Sequence, residues 1–118
     1  MYSYESDFID GYIDCALWSS NDDDGKPLDG TGFNLSDSAV ETMRWDCRAF
    51  IRVNRDLLER SGLSAGQAGH NFWLTQNGHG TGFWDRGLGE VGEALSKAAK
   101  IFGECNLYVS DNETVEVM

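Results

Sequence analysis

The stretch "AGHNFWLTQNGHGTGFWDRG", residues 68–87, decides how the rest of this chain is read. It holds both histidines, two of the four tryptophans and five of the fourteen glycines. Asn77-Gly78 between apolar runs is a hairpin signal, because both residue types accept the positive φ of a tight turn. "FWLT" (72–75) and "TGFW" (81–84) then read as its two strands. A four-residue loop over 77–80 sets Leu74 opposite Phe83 and Trp73 opposite Trp84. A two-residue turn sets Phe72 opposite Phe83 and Trp73 opposite Gly82. The first register makes the better apolar cross-strand pairs and is preferred. In an extended strand Gly78, Gly80 and Gly82 bare one face. His79, Trp73, Trp84 and Arg86 are then candidate hairpin-surface residues for a partner, since exposed aromatic and arginine side chains anchor interfaces well.

Two histidines invite a metal, and geometry argues against one. Across a regular hairpin His70 and His79 stand about six strand steps apart, roughly 20 Å, whereas ligand nitrogens lie about 2 Å from a common ion. No metal is expected. His70 and Asp85 meet at the open end of the hairpin, and an imidazole oriented by a carboxylate can act as a general base. They are the candidate catalytic pair, although no nucleophile is identifiable from spacing. "GHGTGF" lacks the lysine of a phosphate loop and the strand–turn–helix spacing of a dinucleotide fingerprint, so no cofactor is expected.

Working outward, residues 37–61 read as the clearest helix. Val40, Met43, Cys47, Phe50, Ile51, Leu57 and Leu58 share one face. Ser38 with Glu41 fits a capping box, and Gly62 supplies a stop. A first helix is expected over residues 6–18, capped by Ser6, with Phe8, Ile9, Tyr12, Ile13, Ala16 and Leu17 as its apolar stripe. "SSNDDDGKPLDGTGFNLSDS" between them is a surface loop. With Gly25 at the sixth place of a calcium loop, Ser20 would stand first and Thr31 twelfth, which are not the required ligands. After the hairpin, "LGEVGEALSKAAKIF" is a third helix, and "CNLYVS" and "ETVEVM" are two short strands joined at Asp111-Asn112. The expected fold is a single α+β domain: three helices packed on one face of a small antiparallel sheet, in the order α-α-β-β-α-β-β.

The chain has 118 residues, 41% apolar and 25% charged, and a net charge of −11. Its apolar runs fall short of a membrane span, and its acidic start is unlike a secretory or transit segment. Three cysteines without a close pair are expected to be buried free thiols in a reducing compartment. The charge is unevenly placed. Residues 1–41 hold ten acids and one lysine, whereas residues 42–70 hold five arginines and three acids. Arg44, Arg48, Arg52 and Arg55 span about 80° of the second helix. They are expected to pair internally with Asp56, Glu59 and the acidic first helix. The front third repels nucleic acid and anionic lipid and favours a basic partner. Its candidate binding residues are Asp7, Asp10, Asp14, Asp22, Asp23, Asp24 and Asp29.

Three segments, "FIDGYIDCALWSSNDDDGKPLD" (8–29), "AGHNFWLTQNGHGTGFWDRG" (68–87) and "KAAKIFGECNLYVSDN" (97–112), carry a resemblance over most of the chain. They resemble a family of small uncharacterised proteins encoded by tailed bacteriophages, with the motif FWLTxNGHGxGFWDRG. The family's pattern often has Asp where Asn71 stands here and Arg where Gln76 stands. The resemblance implies a phage origin and a bacterial cytoplasm, and carries no functional residues with it. The expected function is a non-enzymatic acidic protein that binds and modulates a basic host protein, in anti-defence or host takeover. Imitation of the charge along duplex DNA is one way to do so. The alternative is a small-ligand-binding protein or enzyme with its site at the 70–86 hairpin. Neither direct nucleic-acid binding nor a membrane contact is expected, and a homodimer is a further option.

Overall fold

The computed structural model describes residues 3–21, 25–30, 32–78, 82–83 and 88–117. Among them the chain forms α1 (Tyr4–Ser19), a 3-10 turn (Leu28–Gly30), α2 (Asp37–Ser61), α3 (Ala65–Gln76), α4 (Glu90–Ile101), β1 (Leu107–Val109) and β2 (Val115–Val117). The protein is α+β and mostly helical. The expected order is corrected at its centre, where residues 72–75 belong to α3 and not to a strand. The only sheet among the described residues is the antiparallel pair β1–β2, with Tyr108 opposite Glu116. Three helices on one face of a sheet is therefore not the architecture. The helices pack chiefly on one another.

Local chemistry explains α3. The Ser64 hydroxyl accepts from the Gln67 N–H at 3.2 Å and caps the first turn. Asn77 and Gly78, the presumed hairpin turn, instead end the helix. The Asn77 N–H and side-chain amide both donate to the Trp73 carbonyl, at 3.1 and 3.0 Å, and Gly78 takes φ of 74°. Every residue from Asn71 to Gln76 is buried. A helix covered on all sides loses the 3.6-residue alternation of polar and apolar positions, so its run reads equally well as a buried strand.

What covers α3 is chiefly α1. A Cβ on Gly11 would run into the Gly66 carbonyl, and one on Gly69 into the Phe8 carbonyl, so the two backbones approach at these points without side chains between them. Around this contact Phe8, Phe50 and Phe72 form an aromatic cluster. Phe50 and Phe72 are stacked at 4.2 Å between ring centres, and Phe8 lies 6.1 and 6.0 Å from them. Tyr12 sits edge-on to Trp73 at 5.6 Å. Phe83 joins from beyond α3, stacked on Phe50 at 5.8 Å. Its N–H donates to the Thr75 hydroxyl at 3.2 Å.

α2 has the expected span, but its cap is Ser36, whose hydroxyl accepts from the Ala39 N–H at 3.0 Å, rather than Ser38. Gly62 ends it in the left-handed region at φ 70°. Asn54 departs from helical geometry at φ −114° while its side chain donates to the Phe50 carbonyl, and the helix kinks there. α1 begins two residues before its expected start, because Ser3 and not Ser6 is the cap. The β1–β2 hairpin is tied back to the segment leading into α2. The Val115 N–H donates to the Asn34 carbonyl at 2.9 Å, and the Val115 carbonyl accepts from the Ser36 N–H at 3.0 Å.

The close approach yields opposite expectations for neighbouring glycines. Gly66→Ala places a Cβ in ordinary contact, 3.9 Å from the Asp7 carbonyl. It should stabilise by about 0.5–1 kcal/mol through helix propensity. Gly69→Ala and Gly11→Ala force the helices apart and should each destabilise by about 1–3 kcal/mol or more. Urea unfolding of the three variants measures the contrast, and equal effects at Gly66 and Gly69 would contradict the packing described.

Candidate binding surface

The acidic residues of α1 are ordered by the same contact that buries its other side. With Phe8, Tyr12, Cys15 and Ala16 turned inward, positions 7, 10, 14 and 18 fall within about 80° of one another on the outward face. Asp10 and Asp14 are exposed and Asp7 is half-buried. Trp18 closes the stripe with 64% of its surface in solvent. Asp29 is exposed in the 3-10 turn. Asp22, Asp23 and Asp24 lie outside the described residues. No aspartate of the stripe is ion-paired among the described residues. The acid of α1 that meets the arginine row is Glu5, which accepts from the Arg48 Nε at 2.8 Å.

That pair is the expected contact between the arginine row and the acidic first helix, made by Arg48 alone, whereas the expected pairing within α2 is corrected. Arg52 and Arg55 make no ion pair with Asp56 or Glu59, and Arg44 and Arg60 make none among the described residues. All five guanidinium-bearing residues of α2 are exposed. Trp45 stands beside the row with 75% of its surface in solvent, and Val53 with 77%. Arg44, Arg48 and Asp10 line one small cleft of about 190 Å³ with Ser3, Glu5, Ser6 and Ile9. The acidic and basic stripes therefore adjoin.

The hairpin candidates fare differently. Trp73 is 2% exposed. It is a core residue of α3 and not a surface anchor, because the helix turns its indole towards Tyr12. His79, Trp84, Asp85 and Arg86 lie outside the described residues, so the His70–Asp85 pair does too. His70 itself is half-buried on α3. It lines an open cleft of about 360 Å³ with Asp14, Cys15, Leu17, Trp18 and Asp29. Burial pushes the Cys15 thiol up from its ordinary value, and the weak hydrogen-bonding contact with Ser19 at 3.7 Å offsets this only in part. The neutral thiol is a poor nucleophile. A second cleft of about 350 Å³ lies between Tyr4 and Glu5 of α1 and Ile51, Arg55, Leu58 and Glu59 of α2. Among the described residues no group of three His, Cys, Asp or Glu side chains converges on a metal position.

Sequence reasoning missed a buried polar cluster that joins three helices to the C-terminal segment. The Tyr12 hydroxyl donates to the Gln76 Oε1 at 2.6 Å, and the Asn77 Oδ1 accepts from the Cys105 N–H at 2.8 Å. Burial raises the Tyr12 phenol far above its ordinary value, and the nearby Cys105 and Cys47 sulfurs add to this. Burial likewise raises the Cys47 thiol, with the Asp46 carboxylate contributing, and the Cys105 thiol, which the Tyr12 hydrogen bond partly offsets. No signal in the spacing of 12, 47, 76 and 105 foretells their meeting. They are brought together only when α1, α2 and α3 pack. Among the described residues, the buried Trp73 Nε1 and Gln76 Nε2 atoms beside this cluster have no hydrogen-bond partner.

No protein-family model matches the sequence, and no curated protein or solved structure is significantly similar to it.

The raised thiol and phenol values fix the direction of pH dependence. Groups that hold protons more tightly folded than unfolded stabilise the fold below their unfolded values, about 8.5 for thiols and 10 for tyrosine, and lose that contribution as pH rises above them. Unfolding free energy should therefore decline steadily from about pH 8.5 upward, measured by urea titration at several pH values. Tyr12→Phe should remove part of the decline. It should also cost about 1–3 kcal/mol at pH 7, because the Gln76 oxygen loses its donor in a buried site.

Proposed function

We propose that this protein is a non-enzymatic binding protein that docks the outward face of α1 on a basic surface of another protein. The observation that carries this reading is the outward row of exposed Asp10 and Asp14 with half-buried Asp7, unneutralised by the arginines beside it and ending in the exposed Trp18. Carboxylates supply attraction and register at long range. An indole presented at the end of the row supplies the apolar anchor that a purely charged surface lacks. The clefts offer less to a catalytic reading. The described cysteines are neutral and buried, and among the described residues the cleft beside His70 contains no activated nucleophile.

The resemblance to tailed-phage proteins supports a host protein as the partner, one of the restriction, CRISPR or transcription machinery. Charge spacing bears on how such a partner is engaged. Asp7 to Asp14 rise about 10 Å along α1, so three carboxylates supply about one charge per 3–5 Å, against one per about 1.7 Å in duplex DNA. Imitation of DNA therefore depends on Asp22, Asp23, Asp24 and Asp29 extending the row. Docking of a basic patch beside an indole does not.

The test is capture of host-cell proteins on the immobilised protein at low salt, with the triple variant Asp7→Asn, Asp10→Asn, Asp14→Asn and the single variant Trp18→Ala in parallel. The wild type should retain a basic protein that elevated salt releases. The triple variant should lose at least about tenfold in affinity for it, equivalent to about 1.4 kcal/mol, and Trp18→Ala should lose a similar amount. A DNA-binding groove as the docking site is diagnosed by displacement with duplex DNA. Equal retention by wild type and triple variant would remove the basis for the proposal.

A further inference from the structure

The five exposed arginines of α2 lie on a chain whose net charge is −11, and the acidic face of α1 lies next to them. We infer that these two stripes are complementary halves of a self-association surface, and that the occupant of the arginine row is the α1 stripe of a second copy of this chain. This goes beyond the proposed function and does not depend on it.

Several observations point to a copy of the same chain. The row is used internally only at Arg48, which pairs with Glu5, while Arg44, Arg52 and Arg55 make no ion pair among the described residues. The two stripes match in form. Arg44, Arg48 and Arg52 rise about 12 Å along α2, and Asp7, Asp10 and Asp14 about 10 Å along α1. Each stripe carries its own exposed tryptophan, Trp45 beside the arginines and Trp18 after the aspartates. The stripes also border one cleft, which Asp10 lines from α1 and Arg44 and Arg48 line from α2. A two-fold axis passing between adjacent stripes of opposite charge sets each against its counterpart in the partner, so every contact is made twice. The overall negative charge opposes association at long range. At physiological salt that repulsion is screened beyond about 8 Å, whereas desolvated contacts a few ångströms apart are screened much less. The tryptophans add apolar burial to a contact that charge orients.

Sedimentation of the full chain at 0.15 M salt, over micromolar to millimolar concentration, should show a monomer–dimer equilibrium. Its association constant should fall by about tenfold or more at 1 M salt. Two charge-reversed forms then test the pairing. In Arg44→Glu, Arg52→Glu both stripes are acidic, and in Asp10→Arg, Asp14→Arg both are basic. Each alone should be monomeric, and an equimolar mixture should form the heterodimer, which also demonstrates that both forms are folded. The neutral pair Arg44→Gln, Arg52→Gln should weaken the wild-type dimer about tenfold, a milder change that keeps the test informative if a reversed form fails to fold. A wild type that stays monomeric to millimolar concentration, an undiminished Arg44→Gln, Arg52→Gln dimer, or two folded reversed forms that do not associate would each overturn the inference. A monomeric wild type that still captures a basic protein through Asp7, Asp10 and Asp14 would leave the proposed function standing alone.

Discussion

Where α1 crosses α3 the chain has no side chains to keep two backbones apart. Gly11 meets Gly66, and Gly69 meets the carbonyl of Phe8 and the amide of Tyr12. Interiors pack at crystal-like density, so a single added methyl at such a point must displace a whole helix. The rest of the structure follows from this contact. It draws Phe8 against Phe72 and Tyr12 against Trp73. α2 then closes the cluster by stacking Phe50 on Phe72 and Phe83. It also brings the Tyr12 hydroxyl to the Gln76 amide, a buried bond that rewards only one relative placement of the two helices.

The same contact fixes what faces solvent. A helix committed on one side to such close packing has no rotational freedom left, so the aspartates of α1 are held outward. On α2 the apolar face is claimed by Met43, Cys47, Phe50 and Leu58, which leaves the arginines along the flank towards α1. Two surfaces of opposite sign thus come to lie side by side on a small acidic protein. Each stripe also carries an exposed tryptophan, Trp18 on α1 and Trp45 on α2.

α2, α4 and the β1–β2 pair show what pattern alone conveys. Each has strong periodicity or alternation and a terminator whose chemistry permits one reading, as Gly62 does for α2. The capping residues shift by a few positions, Ser36 for Ser38 and Ser3 for Ser6, because several serines offer the same hydroxyl and only the path of the entering chain selects among them. The acidic stripe was legible in the same way, since positions 7, 10 and 14 share a face of any helix that contains them. The pairing of the arginines was legible only in part: Arg48 meets the acidic first helix at Glu5, but the pairs with Asp56 and Glu59 are not made, because sequence spacing makes an ion pair feasible without offsetting the side-chain entropy of forming it.

What the sequence by itself determined is the amphipathic frame: two strongly patterned helices, a terminal hairpin, a charge asymmetry between the first forty residues and the next thirty, and the outward set of α1. What only the tertiary structure decided is the state of residues 65–76. "AGQAGHNFWLTQNG" combines small residues suited to close helix packing, aromatics common in strands and an Asn-Gly pair that serves a hairpin turn or a helix end alike. Local preference cannot choose among these. Burial against the glycine of α1 chooses the helix, because a segment enclosed on every side must satisfy its own backbone hydrogen bonds, and a lone strand there would leave them unmade.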